Sequence, residues 1–228
     1  MNTNLPTFGF LLIDKHAGWT SFDVVAKLRG ITGVKKIGHA GTLDPFATGL
    51  LVVAVGKGDT TQIDQYVKKE KRYDSTFELG RTSTTQDPEG EITDNKITSF
   101  PSKDEIEHAL SSFIGDIKQL PPMHSAIKIG GRKLYELARQ GKEIDRPLRD
   151  VTVYELTLVS YEPPTLDVTM NVGSGTYVRA IARDLGELLK TGAYVTALRR
   201  TTIGNFDIKD AHKIEEVTSE NWESLLLK

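Results

Sequence analysis

The segment from Gly38 to Leu50 constrains the fold of this chain more than any other. It reads Gly-His-Ala-Gly-Thr-Leu-Asp-Pro-Phe-Ala-Thr-Gly-Leu and holds one acid, Asp44, among small and apolar residues. Its glycines permit backbone conformations that other residues resist, and Pro45 fixes the chain directly after the acid. The apolar run from Leu50 to Val55 follows at once and indicates a buried strand. The pattern therefore predicts a rigid loop that holds a carboxylate beside the core.

Two interpretations of Asp44 follow from this loop alone. Its carboxylate could react with a substrate, or it could accept backbone N–H groups and stabilise a turn. The second role is the commoner one for an isolated Asp-Pro pair. Motifs elsewhere in the chain are needed to decide between them.

Length and composition predict one globular domain. The chain has 228 residues, of which 38% are hydrophobic and 26% are charged, so long disordered stretches are not expected. No apolar run approaches the length of a membrane span and no signal segment opens the chain, so a cytoplasmic location is expected. The absence of cysteine excludes disulfides, thiol nucleophiles and thiolate metal sites.

The charge is distributed unevenly. The formal net charge is −2, which does not indicate a nucleic-acid-binding protein. Between Met123 and Asp150, however, seven basic residues face four acidic ones, a local net charge of +3. This segment is therefore predicted to contact phosphates.

The segment around Asp44 closely resembles the catalytic motif of the TruB-type tRNA pseudouridine synthases. That motif is Gly-His-x-Gly-[Thr/Ala]-Leu-Asp-Pro-x-Ala-x-Gly-[Leu/Met]-Leu, and every fixed position is present from Gly38 to Leu51. In that family the aspartate is the essential nucleophile. The resemblance therefore implies that Asp44 is the catalytic nucleophile.

Further motifs of the same family occur along the chain. They are Asp-Lys-x-x-Gly with Lys15, Lys-Arg-Tyr with Tyr73, Gly-Thr-Tyr-Val-Arg with Tyr177 and Arg179, and Ala-Leu-Arg-Arg-Thr with Leu198. By resemblance, Arg179 pairs with Asp44 and Tyr73 lies against the target base, and both belong to the catalytic set. The resemblance also implies that substrate is bound by His39, Tyr73, Tyr177, Leu198 and Lys15. Two positions depart from the family pattern: His16 replaces a proline, and His124 replaces an aromatic residue that is often tyrosine.

The resemblance also implies a fold and a substrate. The fold is α+β, with a mixed, largely antiparallel central sheet flanked by helices. Residues 1–228 would form a single catalytic domain with an RNA-contacting insertion at about 123–150, and without the C-terminal PUA-like domain of most bacterial members. The substrate would be uridine 55 of the tRNA T loop, bound as part of the T-arm stem-loop by a monomer. The isomerisation calls for neither a metal nor an organic cofactor, because only a base and a proton move.

Periodicity, caps and turn residues predict the remaining elements. The predicted strands run from Gly9 to Ile13, Leu50 to Val55, Lys68 to Leu79, Val151 to Tyr161 and Leu166 to Val172, the last two forming a hairpin. The predicted helices run from Thr20 or Ser21 to about Gly30, Asp59 to Tyr66, Ser102 to Gly115, Lys133 to Gly141, Thr176 to Gly192 and Ser219 to Leu227. The apolar positions of the first helix are predicted to be Phe22, Val25, Ala26 and Leu28. The stretch from Arg81 to Glu91 is predicted to be a loop.

Two other functions fit parts of this pattern. A non-catalytic RNA-binding or tRNA-folding protein could use the same fold with a structural Asp44. A hydrolase or phosphatase with an aspartate nucleophile would need a second acid close by, as general acid or to hold Mg²⁺. The residues next to Asp44 supply no such acid, so the second alternative ranks low.

Overall fold

The computed structural model describes residues 8–56, 63, 65 and 68–227. They form two compact units. The first unit comprises Met1–Tyr73 and Leu198–Lys228, and the second comprises Asp74–Ala197. The prediction of a single catalytic domain with an insertion at about 123–150 stays a prediction.

Helices and strands alternate irregularly along the chain, as expected for an α+β protein. The described helices are α1 Ser21–Thr32, α2 Lys103–Ser111, α3 Leu134–Ala138 and α4 Val178–Leu188. The described strands are β1 Phe8–Lys15, β2 Ile37–Ala40, β3 Thr48–Gly56, β4 Lys71–Leu79, β5 Arg81–Ser83, β6 Ile92–Asp94, β7 Gly115–Gln119, β8 Lys128–Ile129, β9 Arg132–Lys133, β10 Arg149–Glu162, β11 Thr165–Val172, β12 Ala193–Ile203, β13 Phe206–Asp207 and β14 His212–Lys213. The unit boundary falls within β4 and within β12.

Strand β3 is central to the first unit. One of its edges pairs antiparallel with β1 from Gly49 to Gly56. The other edge pairs antiparallel with β2 towards its C-terminal end and parallel with β12 at Thr48 and Gly49. Its seven inner residues are all buried, which explains why the sequence there is an unbroken apolar run.

Helix α1 covers this sheet and leads towards the Asp44 segment. Thr20 and Asp23 form a capping box at its start, and Gly33 ends it in the left-handed conformation with φ of 69°. Its buried residues include Val24, Val25 and Leu28, which pack in a cluster with Leu51, Val53 and Trp222. Two of its predicted apolar positions were wrong, because Phe22 is 62% exposed and Ala26 also faces solvent.

The second unit contains the long hairpin of β10 and β11, which was predicted. The two strands pair antiparallel and turn at Pro163 and Pro164, whose peptide bond is cis. Within this unit the strands follow the order β12, β4, β11, β10, β7. Helix α2 packs on β10 and on α4. The mixed sheet pairing and the four helices of the described residues confirm the predicted α+β class.

Several predicted elements differ from the structure. Residues 37–40 form β2, so the loop that holds Asp44 is shorter than predicted. Residues 81–83 form β5, which pairs with β6. The predicted helix at 219–227 is wrong: i to i+3 hydrogen bonds make successive turns there, and Leu227 pairs with Phe10 as an isolated bridge. The helix predicted at 59–66 lies outside the described residues except for Ile63 and Gln65.

Among the residues described, no helix is long and apolar enough to cross a membrane.

Candidate active site

Residues 41–47 connect β2 to β3 and form the Asp44 loop. Its backbone is fixed immediately before the acid, since the Ser21 hydroxyl accepts from the Leu43 N–H at 2.9 Å and donates to the Leu43 carbonyl at 3.2 Å. Directly after the acid, the Ala47 N–H donates to the Asp44 carbonyl at 3.1 Å and closes a turn. Leu43 and Ala47 are both buried. The backbone of the loop is therefore held on both sides of Asp44 by contacts within the protein.

Lys15 supports the same loop from β1. Its ammonium donates to the carbonyl oxygens of Trp19 at 2.6 Å, His16 at 3.0 Å and Pro45 at 3.2 Å, and its side chain is 1% exposed. The Gly18 N–H donates to the Pro45 carbonyl as well, at 2.8 Å. Lys15 makes these contacts although histidine replaces the family's proline at position 16. They give Lys15 a role in positioning the loop, and its contact with substrate stays a prediction.

Gly49 brings β3 into close contact with β12. Its φ is 100°, and a Cβ atom there would overlap the backbone carbonyl and nitrogen of Arg200. Thr48, beside it, donates from its hydroxyl to the Leu198 carbonyl at 3.5 Å. Leu198 is 8% exposed, so its side chain is largely packed.

Three basic side chains lie around Gly41 at the start of the Asp44 loop. Arg200 is 1% exposed and donates from Nε to the Leu50 carbonyl at 2.8 Å and from Nη2 to the Gly41 carbonyl at 2.9 Å. Burial and, second, the Arg200 guanidinium lower the pKa of Lys71 to about 8. The same two causes lower the pKa of His39, which favours its neutral form. Burial and Arg200 therefore disfavour the charged forms of both Lys71 and His39 at the start of the loop.

Tyr73 follows Lys71 along β4. Its side chain is 7% exposed, and it faces the same side of the strand as Lys71. Its hydroxyl is not one of the buried polar atoms that lack a hydrogen-bond partner among the described residues. The contact of Tyr73 with a base stays a prediction.

In the second unit, Arg179 lies in the first turn of α4, as predicted. Its side chain is 3% exposed and donates from Nη1 to the Thr85 carbonyl and from Nη2 to the His124 carbonyl, both at 2.8 Å. Nη1 also lies 3.1 Å from Oδ2 of Asp87, whose side chain is 3% exposed. The contact with His124 uses its backbone, so histidine in place of the family's aromatic residue leaves it unchanged. The predicted pairing of Arg179 with Asp44 stays a prediction.

Asp87 is itself held by its own loop. Its Oδ1 accepts from the Thr85 hydroxyl at 2.5 Å and from the Glu89 N–H at 3.0 Å, while its carbonyl accepts from the Ser83 hydroxyl at 2.6 Å. Gly90 lies so close to Ser83 and Thr85 that a Cβ atom there would overlap both side chains. Asp87 is thus a preorganised partner for Arg179.

Tyr177 precedes α4 and is half-buried. The Gln119 side chain, from β7, binds both of its backbone groups: Nε2 donates to the Tyr177 carbonyl at 3.1 Å, and Oε1 accepts from the Tyr177 N–H at 2.8 Å. Gln119 is 1% exposed. This pairing fixes the start of the helix that carries Arg179.

Each unit brings some predicted site residues together. In the first unit, Lys15 contacts the Asp44 loop, and His39 lies with Lys71 and Arg200 at its start. In the second unit, Tyr177 and Arg179 open the same helix. Sequence reasoning missed four supporting residues, namely Ser21, Gln119, Asp87 and Arg200. Only Asp87 had a usable signal. Residues 80–90 resemble a further family pattern, Gly-x-x-Thr-x-Thr-x-Asp-x-x-Gly, which differs in detail around Ser83 to Gln86 and whose aspartate position is Asp87.

Solved structures share this fold. A chain of a Cbf5-Nop10-Gar1 complex has a TM-score of 0.76 and 25% identity, covering 100% of this chain and 65% of that chain. A chain of an H/ACA RNP bound to a substrate RNA containing 2′-deoxyuridine has a TM-score of 0.71 and 25% identity. The match covers 96% of this chain and 55% of that chain. This chain thus spans 55% to 65% of the length of those solved chains.

Curated relatives are more similar in sequence. A tRNA pseudouridine synthase B from Trichormus variabilis is 44% identical over 215 residues, 93% of this chain and 73% of the relative. One from Clostridium novyi is also 44% identical, over 214 residues. A third, from Endomicrobium trichonymphae, is 44% identical over 212 residues, 92% of this chain and 91% of the relative.

Two family models match consecutive parts of the chain. The N-terminal domain model of the TruB family pseudouridylate synthases matches residues 29–178. The C-terminal domain model of tRNA pseudouridylate synthase B matches residues 179–226. Together with the identity to the curated relatives, these matches show that the chain belongs to the TruB family of pseudouridylate synthases and confirm the enzyme class that its motifs predicted.

Proposed function

We propose that this enzyme converts uridine 55 in the T loop of tRNA to pseudouridine, with Asp44 as its nucleophile. The reaction breaks the N1–C1′ bond, rotates the uracil and joins C5 to C1′, while C5 loses a proton and N1 gains one. A carboxylate that attacks the sugar or the base can divide this exchange into two easier steps. The supporting observation is that the Asp44 loop is held by hydrogen bonds both before and after the acid.

The other site residues take roles consistent with their surroundings. Arg179 is proposed to keep Asp44 ionised, since a guanidinium favours the charged form of a neighbouring carboxylate. Tyr73 is proposed to stack on the uracil after it leaves the RNA stack, because a base inside a stem-loop has to be extruded to be reached. His39, Tyr177 and Leu198 are proposed to complete the contacts with substrate.

The RNA partner is proposed to be the T-arm stem-loop, bound by a monomer. The basic segment at 123–150 supports this proposal, since its local net charge of +3 suits a phosphate backbone. Arg179 binds the backbone of His124 at the start of that segment. A contact between RNA and the segment would thus lie close to a proposed catalytic side chain.

The target position is tested with tRNA transcripts that carry tritium at C5 of every uracil. Formation of the C5–C1′ bond must release that hydrogen to water, so wild-type enzyme is expected to release one equivalent from the normal transcript. A transcript with cytidine at position 55 is expected to release none. Release from both transcripts in equal amount would contradict the assignment of uridine 55.

A further inference from the structure

A strongly basic stretch lies in the first unit, outside the segment at 123–150. From Val24 to Leu43 the sequence contains four lysine or arginine residues and no acidic residue, a local net charge of +4. In the described part of the chain, none of the four side chains forms an ion pair with a carboxylate, and all four are exposed. They are Lys27, Arg29, Lys35 and Lys36. Exposed positive charge without internal partners attracts a polyanion.

Phe22 adds an aromatic ring to the same surface. It is the second residue of α1 and is 62% exposed, so packing in the core does not account for it. The guanidinium carbon of Arg29 lies 5.7 Å from the centroid of its ring. An exposed aromatic ring beside a cation is the kind of surface on which a nucleobase stacks.

Helical geometry separates these side chains into two groups. Phe22 and Arg29 are two helical turns apart and lie on the same side of α1, whereas Lys27 projects about 160° away from Arg29. Arg29 also donates from Nη2 to the Ile37 carbonyl at 3.2 Å, which places it beside Lys36 at the start of β2. One side of α1 and the turn after it thus form a continuous surface, the α1 strip, which consists of Phe22, Arg29, Lys35 and Lys36.

The α1 strip begins beside the Asp44 loop. Phe22 directly follows Ser21, whose hydroxyl bonds both backbone groups of Leu43. At its other end, Lys36 leads into β2, which ends where the Asp44 loop begins. Because α1 has 12 residues, the strip runs for about 18 Å. An RNA strand with its target at Asp44 would therefore reach the strip through the neighbouring nucleotides.

We propose that the α1 strip binds the RNA strand next to the target uridine, with Arg29, Lys35 and Lys36 on its phosphates and Phe22 against one of its bases. The nature of this ligand rests on the proposed function, since that function supplies the RNA. An acidic protein partner would match the charge as well. The exposed ring beside Arg29 favours RNA, because unpaired bases stack on aromatic side chains.

The phosphate contacts are tested by the salt dependence of binding. Affinity for the tRNA transcript is measured with Asp44→Asn enzyme, so that turnover does not enter, alone and with Lys35→Gln and Lys36→Gln together. Loss of two phosphate contacts should make the slope of log affinity against log salt concentration shallower by about 1.5. Lys35→Arg with Lys36→Arg should keep the parent slope, since the charges remain. An unchanged slope in the double glutamine variant would overturn the RNA assignment and leave an acidic protein as the matching partner.

The matched control removes two charges elsewhere, through Lys27→Gln with Lys209→Gln. Lys27 projects from the other side of α1, and Lys209 follows Ile208, which packs on the face of the sheet opposite the helix. The control should leave the slope unchanged. An equal change of slope in the control would overturn the proposal, because net charge and not the α1 strip would then decide binding.

The base contact has a separate test. Phe22→Ala should weaken binding about fivefold or more while leaving the salt slope unchanged, because stacking involves no phosphate. Phe22→Trp should restore the affinity. Wild-type affinity in Phe22→Ala would overturn the contact with a base.

These results are distinguishable from a failure of the proposed function. Circular dichroism and thermal unfolding show whether each variant is folded, so weaker binding is not attributed to lost structure. Unchanged slopes beside tritium release from uridine 55 would overturn the α1 strip and retain the proposed function. Changed slopes beside release from a different uridine would retain the strip and overturn the proposed target.

Discussion

Arg179 and Asp87 form an ion pair that is almost fully buried, with Nη1 and Oδ2 3.1 Å apart and both side chains 3% exposed. Arg179 also binds the carbonyls of Thr85 and His124, so one side chain connects α4, the loop before β6 and the start of the basic segment. The pair gives Arg179 a partner that does not depend on substrate. Its guanidinium therefore has a fixed position before RNA binds.

Replacing Asp87 with alanine should destabilise the protein strongly. Removing one partner of a buried pair leaves an uncompensated charge, so Asp87→Ala is expected to lower the free energy of unfolding by about 3 kcal/mol. The matched control is Asp94→Ala, since Asp94 pairs with Arg81 at 2.7 Å but its side chain is 80% exposed. The control should cost less than about 1 kcal/mol. Urea unfolding of both variants measures these free energies. Equal losses would contradict the claim that the buried pair contributes more to stability than the exposed one.

Ser21→Ala removes both hydrogen bonds to the Leu43 backbone. The buried N–H and carbonyl of Leu43 are then left unsatisfied, at a cost of about 1–3 kcal/mol. Because Leu43 precedes Asp44, the position of the carboxylate is expected to vary, and kcat should fall about tenfold or more with KM nearly unchanged. Ser219→Ala, at an exposed serine bonded to Glu220, should change neither quantity. A Ser21→Ala enzyme with wild-type kcat would show that the contact between Ser21 and Leu43 does not affect catalysis.

Gly49→Ala tests the close contact between β3 and β12. The new methyl group would overlap the Arg200 backbone at a residue with φ of 100°, so a loss of about 3 kcal/mol or more is expected. Gly131 in the β8–β9 turn also has a positive φ, 82°, but nothing lies within 4 Å of a Cβ there. Gly131→Ala should therefore lose only about 1 kcal/mol. Thermal unfolding distinguishes the two variants. Similar losses of stability in both would show that backbone strain, and not contact with Arg200, decides the cost at Gly49.

Lys71 should make stability depend on pH in the alkaline range. Its pKa is lowered from 10.5 to about 8 in the folded chain, so between these values the unfolded state binds more protons than the folded state. Stability therefore rises with pH across that window, because the neutral amine avoids the cost of burying a charge and, second, the repulsion by Arg200. Lys71→Met should lose this rise and be more stable than wild type near neutral pH, by about 1 kcal/mol.

Unfolding measured at about pH 7 and about pH 10 checks this prediction. Lys68→Met serves as the control, because its exposed side chain should leave the pH dependence unchanged. An identical rise in wild type and Lys71→Met would contradict the coupling. A Lys71→Met variant less stable than wild type at neutral pH would show that the favourable interactions of Lys71, among them its bond to the Lys69 carbonyl, outweigh the cost of its burial and repulsion.

The position of the Asp44 loop could be predicted because its glycines, its proline and the apolar strand after it are adjacent in sequence. The residues that hold the loop could not. Ser21 acts from 22 residues away and Arg200 from 159 residues away, and no local pattern indicates such contacts. A serine after a threonine at a helix start indicates only a cap, and an arginine at that position in β12 resembles any surface arginine.

The elements that were wrongly predicted have a similar cause, since their structure depends on contacts that the local sequence does not indicate. The residues after Gly80 have the composition of a loop. Arg81–Ser83 nevertheless pairs antiparallel with Ile92–Asp94, because the turn at Asp87 reverses the direction of the chain. The segment from 219 to 227 has helical composition. Its Trp222 and Leu226 pack into the core of the first unit and its end pairs with Phe10, so tertiary contacts override the local preference.

The nucleophile assignment is tested most directly by comparing wild type with Asp44→Asn on tRNA labelled with tritium at uracil C5, under single-turnover conditions with binding measured in parallel. The amide keeps the size of the side chain but cannot act as a nucleophile in the same way. We predict that Asp44→Asn folds, binds tRNA with nearly wild-type affinity and releases no tritium. Measurable release by Asp44→Asn, with product at the same uridine, would contradict the account and leave Asp44 as a residue that only shapes its loop.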